Sequence, residues 1–412
     1  MRLKIHHTKR KLAWLSTTAL IASFIIFHEN SLGRYFFLCL SGFVLLMATL
    51  RNKGRIWLQI KPYHMWAIAF IAFTYISGLW AKYSASVSIG TGTSLFLTFF
   101  CSAMVYLYYQ DEENIKMLLS SVMWAGYIVA VYTLVYYGFD TLMLMASESA
   151  ARMENEYANV NSIGMIASLA CVLQVNDLFN KKPWSALLMI PSVVVIAATQ
   201  SRKAFVMLIG GIIVLSLLKS LQNRTKDRAK IIFRFVVTLV LAIIGLRYIL
   251  ELPIFGGVLE RMEGLIENLT GAGDGGTSSA LRQKMQELGW ELFAEHPIAG
   301  VGMNNTQFYA GLRLGIQAYL HNNFVEILAG GGILGFLLYY WAHAYILVSL
   351  FKYRHADENA FIIGLVWMGI ILIMDYGMVS YTEKTHIFYM MIHFLNVESM
   401  KRKHRSLVND RS

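Results

Sequence analysis

This 412-residue sequence predicts an all-α fold: a polytopic membrane helix bundle of about twelve transmembrane helices with one large external loop containing an amphipathic helix. Three observations carry the prediction. Hydrophobic residues make up 56% of the chain and the mean hydropathy is +0.50, too apolar for an ordinary soluble domain. Charged residues, only 15%, cluster between apolar runs that approach the length needed to cross a bilayer. The strongly basic short connections also fall on one side if successive helices alternate in direction. The formal charge of +11 therefore reads as cytoplasmic loop charge, and no nucleic-acid partner is expected.

The segment MRLKIHHTKRK before LAWLSTTALIASFIIF has the outline of a signal peptide, but no A-x-A site follows it. A retained first transmembrane helix is the expectation. The expected spans are 12–28, 34–50, 64–80, 92–109, 116–137, 158–175, 184–200, 203–219, 231–250, 320–349, 360–378 and 384–398. The run 320–349 exceeds what the hydrocarbon needs, so its first turns should project outward or tilt. With the N-terminus in the cytoplasm, the basic stretches 51–61, 180–182, 219–230, 352–358 and 401–405 all lie inside, and the C-terminus returns there. Trp66 and Trp80 bracket the third span, and Trp14 and Trp184 begin others, as interfacial belts would. Cys39, Cys101 and Cys171 show no metal or disulfide spacing and are read as small buried hydrophobes.

The chain thus divides into N-terminal transmembrane helices (1–157), a second set (158–250), an external loop (251–319), C-terminal transmembrane helices (320–398) and a basic cytoplasmic tail (399–412). A shorter outer loop is expected over 138–157, and no internal repeat of the transporter kind stands out. Within the large loop, TGAGDGGTSS reads as a glycine-rich connection. Leu281, Met285, Leu288 and Leu292 then recur at helical spacing, with Thr277, Ser278 and Ser279 as cap candidates and Pro297 as the stop. That stripe docks the helix.

Arg282 is placed in the first turn of this helix, where the dipole disfavours a cation. A helix N-terminus is an anion site, and a guanidinium there grips phosphate with two donors. The alternative is a surface arginine paired with a glutamate or a lipid phosphate. Arg202, in ATQSRKAF at an outer junction of two apolar segments, runs against the charge trend. It reads either as a contact for an anionic headgroup or as a snorkelling arginine. His321 opens the tenth span, followed by Asn322, Asn323 and Glu326, and reads as a base or as an interfacial capping residue. Asp375, His343 and His393 lie in or near apolar runs, where ionisable groups can mark transport paths. Their spacing makes no evident relay.

Taken in order, SRKAF, then HPIAGVGMNNT, then HNNFVEILAGGGILGF, with the asparagines of ANVNSIG (Asn159, Asn161), resembles the O-antigen ligase and polymerase family of integral-membrane glycosyltransferases over about residues 158–345. The resemblance implies a bacterial inner- or plasma-membrane enzyme, with its site facing outward and no cofactor or metal. Its substrate would be undecaprenyl-diphosphate-linked glycan, with a chain-length regulator and a flippase as candidate partners. It carries diphosphate binding to Arg202 and Arg282 and the general base to His321. Asn322, Glu326 and Asn161 become candidates for holding or orienting the acceptor. One departure stands out: the family often has an acidic residue before Gly-Ile-x-Gly, whereas Ala329-Gly330-Gly331 stands here, with Glu326 one turn earlier. The favoured activity is polymerisation of lipid-linked repeat units into O-antigen, capsular or exopolysaccharide. The alternatives are ligation to lipid A core or protein and, from another class, a polysaccharide transporter or flippase.

Overall fold

The computed structural model describes residues 2–28, 33–55, 59–110, 112–148, 151, 153, 157–222, 229–230, 233, 235–237, 239–240, 244, 247–248, 251–262 and 277–409. Among these it is helical, without strands. The helices are α1 (Arg2–Ile26), α2 (Gly33–Arg51), α3 (Pro62–Ile76), α4 (Ala85–Tyr109), α5 (Glu112–Tyr137), α6 (Phe139–Ser147), α7 (Val160–Phe179), α8 (Ser185–Thr199) and α9 (Arg202–Gln222). After the large connection come α10 (Thr277–Glu295), α11 (Thr306–Leu314), α12 (Asn323–Lys352), α13 (Glu358–Gly377) and α14 (Lys384–Asn409). Every expected span except 231–250, which lies largely outside the described residues, falls on one of these helices. Seven described helices are long and apolar enough to cross a bilayer: α2, α4, α5, α7, α9, α12 and α13. The chain is a multi-pass membrane protein.

Contacts divide the chain into two compact units, 1–43 with 113–272 and 354–370, and 44–112 with 273–353 and 371–412. In the first, α7 is the central element. It is apolar all round and buried along most of Val160–Asn176, as a helix enclosed by others must be. Small residues let its neighbours approach. A Cβ on Gly126 of α5 would stand 2.5 Å from the Ala170 methyl, and one on Gly164 would stand 2.8 Å from that of Ala204. The stretch 139–147, expected as loop, is the short helix α6, because Leu142 and Ala146 bury one i,i+4 face.

In the second unit, α3, α4, α12 and α14 surround an aromatic core that includes Tyr63, Trp66, Phe70, Phe99, Tyr106 and Phe394. Trp66 corrects the belt assignment. It is 1% exposed, and its indole N–H donates to the Tyr339 carbonyl at 3.1 Å, so it is a core residue with its one polar atom satisfied. Of the cysteines, Cys101 and Cys171 are buried, but Cys39 is exposed on α2.

Helix α12 explains the excess length of its run. Gly332, at φ 61° and ψ −164°, breaks it in two. The later piece, roughly 20 residues, is enough by itself to span about 30 Å of hydrocarbon. The earlier piece, residues 323–331, packs on the segment 297–302 and carries the candidate site.

Candidate active site

The second unit builds its site on the break in α12. In an unbroken helix the N–H groups of Ile333 and Leu334 would bond to the carbonyls of Ala329 and Gly330. Here those carbonyls accept instead from Val301 N–H at 2.9 Å and Gly302 N–H at 2.8 Å. The freed N–H groups donate to Pro297 O at 2.8 Å and Ile298 O at 3.1 Å. Two helical bonds are thus exchanged for four bonds to the segment 297–302, which satisfy all four of these backbone groups. Glycine is required on both sides. A Cβ on Gly300 (φ 66°) would lie 2.4 Å from the Gly330 carbonyl carbon, and one on Gly332 would lie 2.4 Å from that of Ile298. HPIAGVG and AGGGILG are two halves of one joint.

The rest of HPIAGVGMNNT ties this joint to the corner between α3 and α4. Trp80 Nε1–H donates to Ala299 O at 3.1 Å, and the Met303 N–H donates to Ser77 Oγ at 3.0 Å. Asn305 accepts from the Ser84 N–H and donates to Ser88 Oγ at 2.8 Å. On the other flank α10 docks as its stripe requires. Met285, Leu288 and Leu292 are buried in a cluster with Val301, Tyr309, Leu320 and Val325, and Leu281 packs against its edge.

The described part of α10 begins at Thr277, so Arg282 lies beyond its first turn. Helical residues 277–281 precede it, so the argument from the helix N-terminus does not transfer to Arg282. The side chains of 277–279 lie outside the described residues. Arg282 is half-buried, and its charge acts on Tyr319. Partial burial raises the Tyr319 phenol above its ordinary pKa, Glu383 adds to the rise, Arg282 opposes it and Glu326 adds further. The Tyr319 ring lies 4.4 Å from the His321 ring, so the tyrosine that feels the charge of Arg282 also packs on His321.

His321 lies just outside α12, two residues before its first turn, at φ 59°. A left-handed histidine costs about 1–3 kcal/mol and persists where its neighbours are pinned. Both neighbours are. Asn322 is the N-cap, its side-chain oxygen accepting from Phe324 N–H at 3.0 Å and Val325 N–H at 3.3 Å. On the other side, Leu320 N–H donates to the Glu326 carboxylate at 3.0 Å. The other oxygen of Glu326 accepts from the Thr306 hydroxyl, and the residue is 1% exposed. Glu326 is a strut between α11, the residue before His321, and α12. It sets where the imidazole stands.

Arg202 and Asn161 belong to the first unit. Arg202 opens α9 after a left-handed Gln200 (φ 47°), whose amide donates to the carbonyls of Met145 and Glu148, both at 2.7 Å. Ser201 donates to the Asn161 side-chain oxygen at 2.8 Å, and Asn159 caps α7 by accepting from the Asn161 N–H at 2.9 Å. The asparagine pair therefore braces the turn that presents Arg202.

Sequence reasoning passed over a third grouping. His343 and Asp375 meet His386, which had not been singled out, in one buried cluster of the second unit. The three come from three helices, so no spacing along the chain announces them. With this geometry established, residues 184–340 match the family described as O-Antigen ligase, inside the stretch whose motifs carried the resemblance. Among curated proteins none matches this chain.

Proposed function

We propose that this membrane protein, which carries an O-antigen ligase domain over residues 184–340, polymerises undecaprenyl-diphosphate-linked oligosaccharide units into O-antigen, capsular or exopolysaccharide. The observation that supports the reading is Tyr319, which packs on the His321 ring and feels the charge of Arg282, within the matched stretch. In the reaction, an acceptor hydroxyl attacks the anomeric carbon of the donor glycan, the bond to the diphosphate oxygen breaks, and undecaprenyl diphosphate leaves. His321 takes the hydroxyl proton as it attacks. Arg282 stabilises the charge gathering on the diphosphate without reorganising. Arg202 is proposed as a further diphosphate ligand. One displacement of this kind inverts the anomeric centre. Both termini are proposed to lie in the cytoplasm and the site on the outer face of the inner membrane, a reading supported by the basic stretches falling on one side.

Ligation to lipid A core or protein uses the same donor chemistry with another acceptor. The two are separated by giving the purified full chain lipid-linked repeat units alone. A ladder of products supports polymerisation; a ladder that waits for added lipid A core or protein acceptor supports ligation. No transfer under either condition, with the protein folded, removes the enzymatic reading. A transporter or flippase would move the lipid-linked glycan across the membrane without joining units.

A further inference from the structure

We infer that His343, Asp375 and His386 form a binding site for one divalent transition-metal ion of the zinc type, independent of the glycosyl-transfer reading. The three contribute ligand atoms that all lie within 4.8 Å of one another. Their side chains are 3%, 0% and 0% exposed. His343 Nε2 stands 3.6 Å from one Asp375 oxygen and His386 Nδ1 stands 3.6 Å from the other. Neither nitrogen has a hydrogen-bond partner, which is a costly condition for a buried imidazole.

A distance of 3.6 Å is too long for an N–H···O bond on either side. It is close to the spacing that two ligands of one ion adopt. Metal bonds of about 2.0–2.2 Å at a tetrahedral angle put ligand atoms roughly 3.3–3.6 Å apart. A small contraction around an ion would satisfy both nitrogens together. Two imidazoles with a carboxylate suit zinc and its first-row neighbours, not magnesium or calcium.

Behind two of the three ligands stand groups of the kind such a site needs, while His343 Nδ1 makes no hydrogen bond. With Nδ1 facing the ion, the other nitrogen of His386 bonds to the Tyr339 hydroxyl at 2.8 Å, which fixes the ring. Asp375 accepts from Ser380 Oγ on one oxygen and from the Tyr340 hydroxyl at 3.1 Å on the other. Tyr340 in turn accepts from Asn323 Nδ2 at 3.0 Å. The ion would therefore clamp α12, α13 and α14 beneath the first turn of α12. Its role is structural.

The test uses the full chain purified in detergent, exposed to zinc and freed of loose metal by gel filtration. Elemental analysis should return about one zinc per chain, falling to background in His386→Ala and Asp375→Asn but not in the control His355→Ala. Cobalt-loaded wild type should show visible ligand-field absorption that both substitutions abolish. If those variants do not accumulate, two measurements decide. Zinc added to chelator-stripped wild type should raise Tm, and Tyr339→Phe should weaken zinc binding roughly 10–100-fold. Wild type that retains neither zinc nor cobalt overturns the inference. So does metal binding unchanged by the ligand substitutions or, where these fail to accumulate, by Tyr339→Phe.

Discussion

The backbone N–H of Gly302 donates to the Gly330 carbonyl at 2.8 Å, taking the place of a bond that α12 would otherwise make within itself. With its three companion bonds, this contact turns a break in a membrane helix into a joint with the segment 297–302. The joint anchors the short first piece of α12, which carries Glu326 and is preceded by its cap Asn322 and by His321, a piece of helix too short to stand alone.

Substitution at the joint should separate two costs of replacing glycine. Gly315 has φ 73° but open space around it, so Gly315→Ala should cost only the left-handed penalty, about 1–2 kcal/mol. Gly300→Ala adds a Cβ 2.4 Å from the Gly330 backbone and should cost clearly more. Thermal unfolding in detergent compares them. Equal losses would mean that the joint gives way easily.

His321→Ala should lower glycan transfer by roughly 10²–10⁴-fold while the protein still reaches the membrane. Only the neutral imidazole can accept a proton, so wild-type activity should fall toward acid pH with a limb that His321→Ala lacks. Rates of chain extension against pH check both points. Arg282→Ala and Arg202→Ala should also abolish transfer but leave that limb in any residual activity. Normal polymer length distributions in all three variants at normal abundance would remove the assignment.

Glu326→Ala strands the Leu320 N–H and the Thr306 hydroxyl in a buried position, which should cost about 1–3 kcal/mol or more. Since Glu326 acts by placing His321, transfer should slow without loss of the acid limb, and the Leu320 amide should exchange faster with solvent. If Glu326→Ala erased the limb itself, Glu326 would be the base.

The exposed pair of Arg313 and Glu295, at 2.8 Å, offers a control. The hydrogen bond from Arg313 holds the Glu295 carboxyl below its ordinary pKa, so its contribution is present at neutral pH and is lost as pH falls through that lowered value. Both partners are more than a third exposed, so screening limits the effect. Arg313→Ala should change stability by less than about 1 kcal/mol, and less still in high salt. Unfolding at neutral and acid pH, with and without salt, tests this.

By itself the sequence determined the membrane class, the helix order and the docking stripe of α10, because hydropathy and helical periodicity are local properties of the chain. It also marked the two glycine motifs and the asparagine pair, without showing that HPIAGVG and AGGGILG complete each other's hydrogen bonds. Only the tertiary structure decided that Trp66 is core, that Arg282 lies a turn deeper in its helix, that Glu326 is a strut, and that His386 meets Asp375. These facts rest on pairings between distant segments. The reason is physical: which buried polar group is satisfied by which depends on where helices cross, and crossing points leave no period in the sequence.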